Sequence, residues 1–158
     1  MEIHIKGSTN NIRFSAAHFI PNIEKCSRLH GHDYSVDLTL NGEMVDGVLI
    51  DYGIIKKEIR SIIEPIDHKV IVPAVDNYST HKVENGVCKV NFRQKEYQFP
   101  EGDVFLLDAD MSSSENLSQY FFTMLSERIR KHRNIKFLSV VVYEGPGQGA
   151  KSEDSIDQ

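Results

Sequence analysis

The chain has 158 residues, 40% of them hydrophobic and 26% charged, with a formal net charge of −5 and an isoelectric point near 5.8. That size suits one domain with a buried core, and the acidic balance speaks against the basic face that nucleic-acid binding requires. No apolar run reaches the roughly 18 residues of a membrane span, and the opening MEIHIKGSTN lacks a secretory leader's basic-then-apolar pattern.

Only two cysteines occur, Cys26 and Cys88, so no disulfide framework is expected. The cytoplasm, where thiols stay reduced, is the expected compartment.

In chain order, residues 12–18 alternate as a strand does, with Ile12, Phe14, Ala16 and His18 on one face and Arg13, Ser15 and Ala17 on the other. Residues 30–40 alternate likewise, placing His30, His32, Tyr34, Val36, Leu38 and Leu40 in phase, and Asn41-Gly42 then predicts a turn. Residues 54–64, IIKKEIRSIIE, predict a helix that buries Ile55, Ile59, Ile62 and Ile63 and stops before Pro65. PIDHKVIVP reads as a loop entering a strand. Residues 82–99 predict a β-hairpin turning at Asn85-Gly86, and DVFLLD adds a further strand.

A second helix follows MSSSENLS. Ser112 and Glu115 fit a capping box, and Leu117, Tyr120, Phe121, Met124 and Arg128 form a stripe. The last strand is KFLSVVVYE, in which Leu138, Val140, Val142 and Glu144 share a face. The polar remainder, 146–158, predicts a flexible tail after a single domain at 1–145. The order of elements implies an α+β fold with an antiparallel sheet and helices on one side.

Three histidines therefore fall on the apolar side of their strands, where an imidazole with nothing to bind is costly. His30 and His32, two apart, point the same way, and His18 is the natural third from a neighbouring strand. Three neutral imidazoles plus an open position make a catalytic zinc site. Cys26 has two readings. It is either a fourth ligand, giving a closed Cys-His-His-His structural site in a non-catalytic domain, or a thiol outside the shell acting as base or nucleophile. Asp67-His68 could orient and charge an imidazole for proton transfer. Glu144, ending an apolar strand, needs a buried partner, and a ligand presenting two adjacent N–H groups would be one. Lys25 and Arg28 make a basic spot suited to a small anion.

Taken together, FSAAH, CSRLHGH, DYG, Asp67-His68, SSENLS and the strand-end glutamate resemble the 6-pyruvoyl-tetrahydropterin synthase family. The spacing of Cys26, four residues before His30, is similar to the 6-carboxy-5,6,7,8-tetrahydropterin synthase branch. The resemblance implies the tunnelling fold, with a four-stranded antiparallel sheet and two helices on one side. It also implies a homohexamer of two stacked trimers with sites at subunit boundaries. It implies Zn2+ on His18, His30 and His32, Cys26 as general base, and Asp67 with His68 as its proton-relay partner. Glu144 would clamp the pterin, Ser113 and Ser114 would lie beside the ring, and Arg28 would meet the triphosphate.

The implied reaction converts 7,8-dihydroneopterin triphosphate to 6-carboxytetrahydropterin, releasing acetaldehyde and triphosphate, for 7-deazaguanine (queuosine or archaeosine) biosynthesis. The alternatives within the family form 6-pyruvoyltetrahydropterin or cleave the side chain to 6-hydroxymethyl-dihydropterin. Members of the cleaving branch carry a glutamate close to the HGH; positions 27–29 here are Ser, Arg and Leu. Residues at about 78–108 form an insertion relative to compact bacterial members, and the ending GPGQGAKSE also departs from the pattern.

Overall fold

The computed structural model describes residues 1–156 and confirms an α+β fold. Strand β1 (Glu2–Ile5) and a single helical turn α1 (Gly7–Asn10) precede β2 (Arg13–His18) and the long β3 (His30–Gly42). Helix α2 (Tyr52–Ile63) leads to β4 (Lys69–Pro73), and a meander follows: β5 (Thr80–Glu84), β6 (Val87–Phe92) and β7 (Lys95–Pro100). Then come β8 (Val104–Leu107), α3 (Ser114–Ile129), β9 (Ile135–Tyr143) and β10 (Gly149–Ser155).

The main sheet has seven strands in the order β10-β9-β3-β2-β4-β8, with β1 also on β3. Its antiparallel run, β10-β9-β3-β2, has four strands, and β4 and β8 extend it in parallel. Strands β2, β3 and β9 turn Phe14, Ala16, Tyr34, Val36, Leu38, Val140 and Val142 to one face, where Ile55, Ile59 and Ile62 of α2 and Leu117, Phe121 and Leu125 of α3 complete a single core. Arg128 and Lys131 reach Glu58 across the two helices at 3.4 and 3.2 Å.

Four expectations shift. Asn41-Gly42 is not a turn: β3 runs through it with a bulge, because Gly42 lies so close to the Asn134 carbonyl that only a residue without Cβ fits. The predicted hairpin is a three-stranded sheet, its Asn85-Gly86 turn in place with both residues at positive φ. The capping residue is Ser113, whose hydroxyl accepts from Asn116 N–H, while the Ser112 hydroxyl is buried and donates to the Phe19 carbonyl. The polar segment read as a flexible tail contains β10, which pairs with β9 from Gly149 to Ser155 and buries Ile156. Composition misleads there because an edge strand with one solvated face needs few apolar residues. Asp157 and Gln158, also assigned to the tail, lie outside the described residues.

Candidate active site

The register of β2 on β3 builds the site. His18 sits opposite His30 and Ala16 opposite His32, so the three imidazoles meet at one end of the helix-covered face. His18 is 1% exposed. All three offer ring nitrogens within 4.8 Å of one another, and among the described residues they form the one group able to hold a metal.

The outer nitrogens explain why the rings face each other. His18 Nδ1 donates to the Ser112 carbonyl at 2.7 Å, and His30 Nδ1 donates to the Arg28 carbonyl at 2.6 Å. Each donation fixes a tautomer and leaves Nε2 as a bare lone pair. The two Nε2 atoms lie 3.1 Å apart, a repulsive approach for two acceptors. It matches the roughly 3.3 Å between two nitrogens that bind one tetrahedral ion at ~2.05 Å. The donor set thus fits a first-row divalent ion, with His32 edge-on to both rings at centroid distances of 5.1 Å.

Burial is the main reason that His18 is driven down to about pKa 4, and its two histidine neighbours push the same way against the Ser112 carbonyl. It is therefore neutral at pH 7, as a ligand must be. Tyr34, fully buried beneath the cluster, sets its hydroxyl 3.3 Å from His18 Nδ1. Burial and the nearby Glu144 carboxylate push its phenol well up, keeping it neutral. Glu144 follows β9 in phase with Val142, and its carboxylate stands 3.9 Å from His18 Nε2 with the side chain 16% exposed.

Cys26 lies half-buried in the loop between β2 and β3 and is not a member of the histidine group. Its carbonyl accepts from Ile20 N–H at 2.7 Å, folding the loop back on itself. Arg28 has an exposed side chain, and its recorded contact to the site is the carbonyl on His30. Ser113 caps α3, and Ser114 donates to Glu115 at 3.4 Å.

Asp67 and His68 pair with each other at 2.9 Å beside β2. Asp67 accepts from Ser15 N–H and His68 N–H donates to the Ser15 carbonyl, and Ser15 faces away from His18. His68 is 81% exposed and borders an open cleft that is also lined by Ser15, Ala17, His32 and Asp33. One subunit brings together His18, His30, His32 and Glu144, and the Asp67-His68 pair is not a member of that histidine group. Sequence reasoning missed two supporting groups, the Ser112 carbonyl and Tyr34. Tyr34 was legible as the next in-phase residue after His32, whereas a carbonyl 94 residues from His18 has no sequence signal.

The profile of the family described as 6-pyruvoyl tetrahydropterin synthase matches residues 8–155. The chain belongs to that family. A protein of Methanocaldococcus jannaschii, provisionally named a 6-carboxy-5,6,7,8-tetrahydropterin synthase, is 32% identical over 95% of this chain and 94% of its own length. The 6-carboxy-5,6,7,8-tetrahydropterin synthase of Rickettsia conorii is 28% identical over 87% and 93%. Among solved structures, the 6-pyruvoyltetrahydropterin synthase of Plasmodium vivax superposes with a TM-score of 0.90 at 30% identity, covering 99% of this chain and 98% of that one. Family membership makes the chain an enzyme of pterin metabolism with the tunnelling fold. Among the described residues no helix is long and apolar enough to cross a membrane.

Proposed function

We propose that this protein is a zinc-dependent lyase converting 7,8-dihydroneopterin triphosphate to 6-carboxy-5,6,7,8-tetrahydropterin, with release of acetaldehyde and triphosphate, for 7-deazaguanine biosynthesis in the cytoplasm. The observation that carries the reading is the convergence of three ring nitrogens with Cys26 left outside their group. That arrangement leaves a coordination position for substrate and a thiol free for proton transfer. The four-residue spacing of Cys26 from His30 and the names of the M. jannaschii and R. conorii relatives favour the carboxy-forming branch.

His18, His30 and His32 would hold Zn2+, which supplies Lewis-acid polarisation of the substrate's side-chain oxygens. The Ser112 and Arg28 carbonyls keep two of those rings in the ligating tautomer. Cys26 takes a proton from the side-chain carbon beside the developing carbonyl, and His68, oriented by Asp67, returns a proton to the pterin. His68 is not a member of its own subunit's histidine group, and the relay is assigned to a neighbouring subunit of a homohexamer. Glu144 accepts the paired N–H groups of the pterin's guanidine-like edge, as a half-buried carboxylate can. Ser113 and Ser114 flank the ring, and Arg28 meets the triphosphate.

Incubating zinc-loaded protein with the triphosphate and resolving products by mass tests the reading. Carboxytetrahydropterin with acetaldehyde is expected, whereas pyruvoyltetrahydropterin without acetaldehyde would assign the sister reaction. Cys26→Ala is expected to keep full zinc and lose at least about 100-fold in turnover. Loss of zinc from that variant would make Cys26 a fourth ligand and refute the enzyme reading.

A further inference from the structure

The loop from Phe19 to Leu29 joins the first metal-site histidine to the other two, carries Cys26, and contains no helix or strand. Its internal bonds are three- and four-residue turns (Ile23 N–H to the Ile20 carbonyl, Ser27 N–H to the Ile23 carbonyl, the Ser27 hydroxyl to the Glu24 carbonyl) and one closure, Ile20 N–H to the Cys26 carbonyl. Such bonds shape a loop without fixing where it stands relative to a sheet. Its start is held by the Ser112 hydroxyl on the Phe19 carbonyl, and the rest is braced from outside by the β5–β7 meander.

Two tethers do this. Phe19, next to His18 and fully buried, stacks on Phe92 with ring centres 4.5 Å apart and planes 11° from parallel. Tyr97 joins the same cluster, 6.1 Å from Phe19 and 5.9 Å from Phe92. At the far end, Lys95 reaches out of the β6–β7 turn, and its ammonium donates to both the Ser27 carbonyl (2.8 Å) and the Ser27 hydroxyl (3.1 Å). Its ammonium also stands over the Phe92 ring, 5.6 Å from the ring centre. Ser27 is 2% exposed and directly follows Cys26. A partly buried charge-assisted pair of hydrogen bonds is strong enough to select one loop position.

We propose that Lys95 is a positioning residue for the Cys26 thiol, so that the β5–β7 meander is a working part of the active site. The inference rests on the reading of Cys26 as the base. Lys95 does not act on substrate; it holds the Ser27 peptide, and through it the neighbouring Cys26, in one position. A base displaced by about 1 Å loses roughly 100-fold in rate while substrate binding, carried by other residues, stays.

The test compares Lys95→Met, which keeps an unbranched side chain and removes the donor, with Lys95→Arg, which restores a donor. Lys89→Met removes an exposed lysine from the same meander and serves as control. In zinc-loaded protein, Lys95→Met is expected to lower kcat about 10- to 100-fold with KM within about threefold. Lys95→Arg should recover most of that loss, and Lys89→Met should match the parent. A second readout needs no turnover: the iodoacetamide rate at Cys26, with the fully buried Cys88 as internal blank, should rise at least about threefold in Lys95→Met as the loop loosens.

An unchanged kcat and alkylation rate in Lys95→Met, or an Arg variant no better than Met, overturns the proposal. If Lys95→Met does not fold, Lys95→Leu, which also lacks a donor, carries the same comparison. Full activity in Cys26→Ala would instead overturn the reading of Cys26 itself, so the two failures are distinguishable.

Discussion

Acidifying the metal-free protein should unfold it through His18. The ring is buried, and its pKa is held near 4 against 6.5 in the unfolded chain. A folded-state pKa depressed below the unfolded one gives stability that is fully present above pH 6.5. That stability is lost as pH falls through about 4, because the unfolded chain takes up the proton first. The gap amounts to about 3 kcal/mol in all, of which about 2 kcal/mol is gone by pH 5. Urea unfolding of chelator-treated protein at pH 7 and pH 5, followed by far-UV circular dichroism, measures it. Other groups titrate in the same window, so the quantity to compare is the pH 7-to-5 loss in the parent minus that in His18→Gln. A difference near 2 kcal/mol is expected. A difference below about 0.5 kcal/mol would show that His18 is not held neutral by its surroundings, and the account of its burial and tautomer would fall.

Two further outcomes test the fold around the site. Gly42→Ala should cost about 2–3 kcal/mol and lower the melting temperature by several degrees, because the added Cβ overlaps the Asn134 carbonyl, a backbone atom that cannot swing aside; an unchanged melt would refute the close approach. Ending the chain at Gln148 should remove β10, expose the β9 edge and unpair Ser152 from Ser118 on α3, giving aggregation or a lost thermal transition; a melt within a few degrees of the full chain would return the segment to the status of a dispensable tail.

Sequence alone determined what depends on local phase. The alternation in residues 12–18 and 30–40 put His18, His30 and His32 on the core face, and β2 and β3 keep that phase since side chains in any strand alternate with period two. Helix α2 was legible from its four in-phase isoleucines, all of which are buried. Glu144 was marked by a carboxylate's misfit in an apolar series, and it does lie beside His18. Ordered motifs across most of the chain pointed to the family whose profile it matches.

Tertiary structure decided what depends on residues far apart in the chain. β1 and β10 were invisible because edge strands can be polar and short, and only their pairing with β3 and β9 defines them. The Ser112 carbonyl that fixes the His18 tautomer carries no side-chain identity to read. The place of Asp67-His68 beside β2 follows from bonds to the Ser15 backbone, 52 residues away from Asp67. The tether from Lys95 to Ser27 spans 68 residues and exists only because Phe19 and Phe92 bring the meander and the Cys26 loop into one apolar cluster. Local patterning set which way each side chain points, and long-range packing set what it meets there.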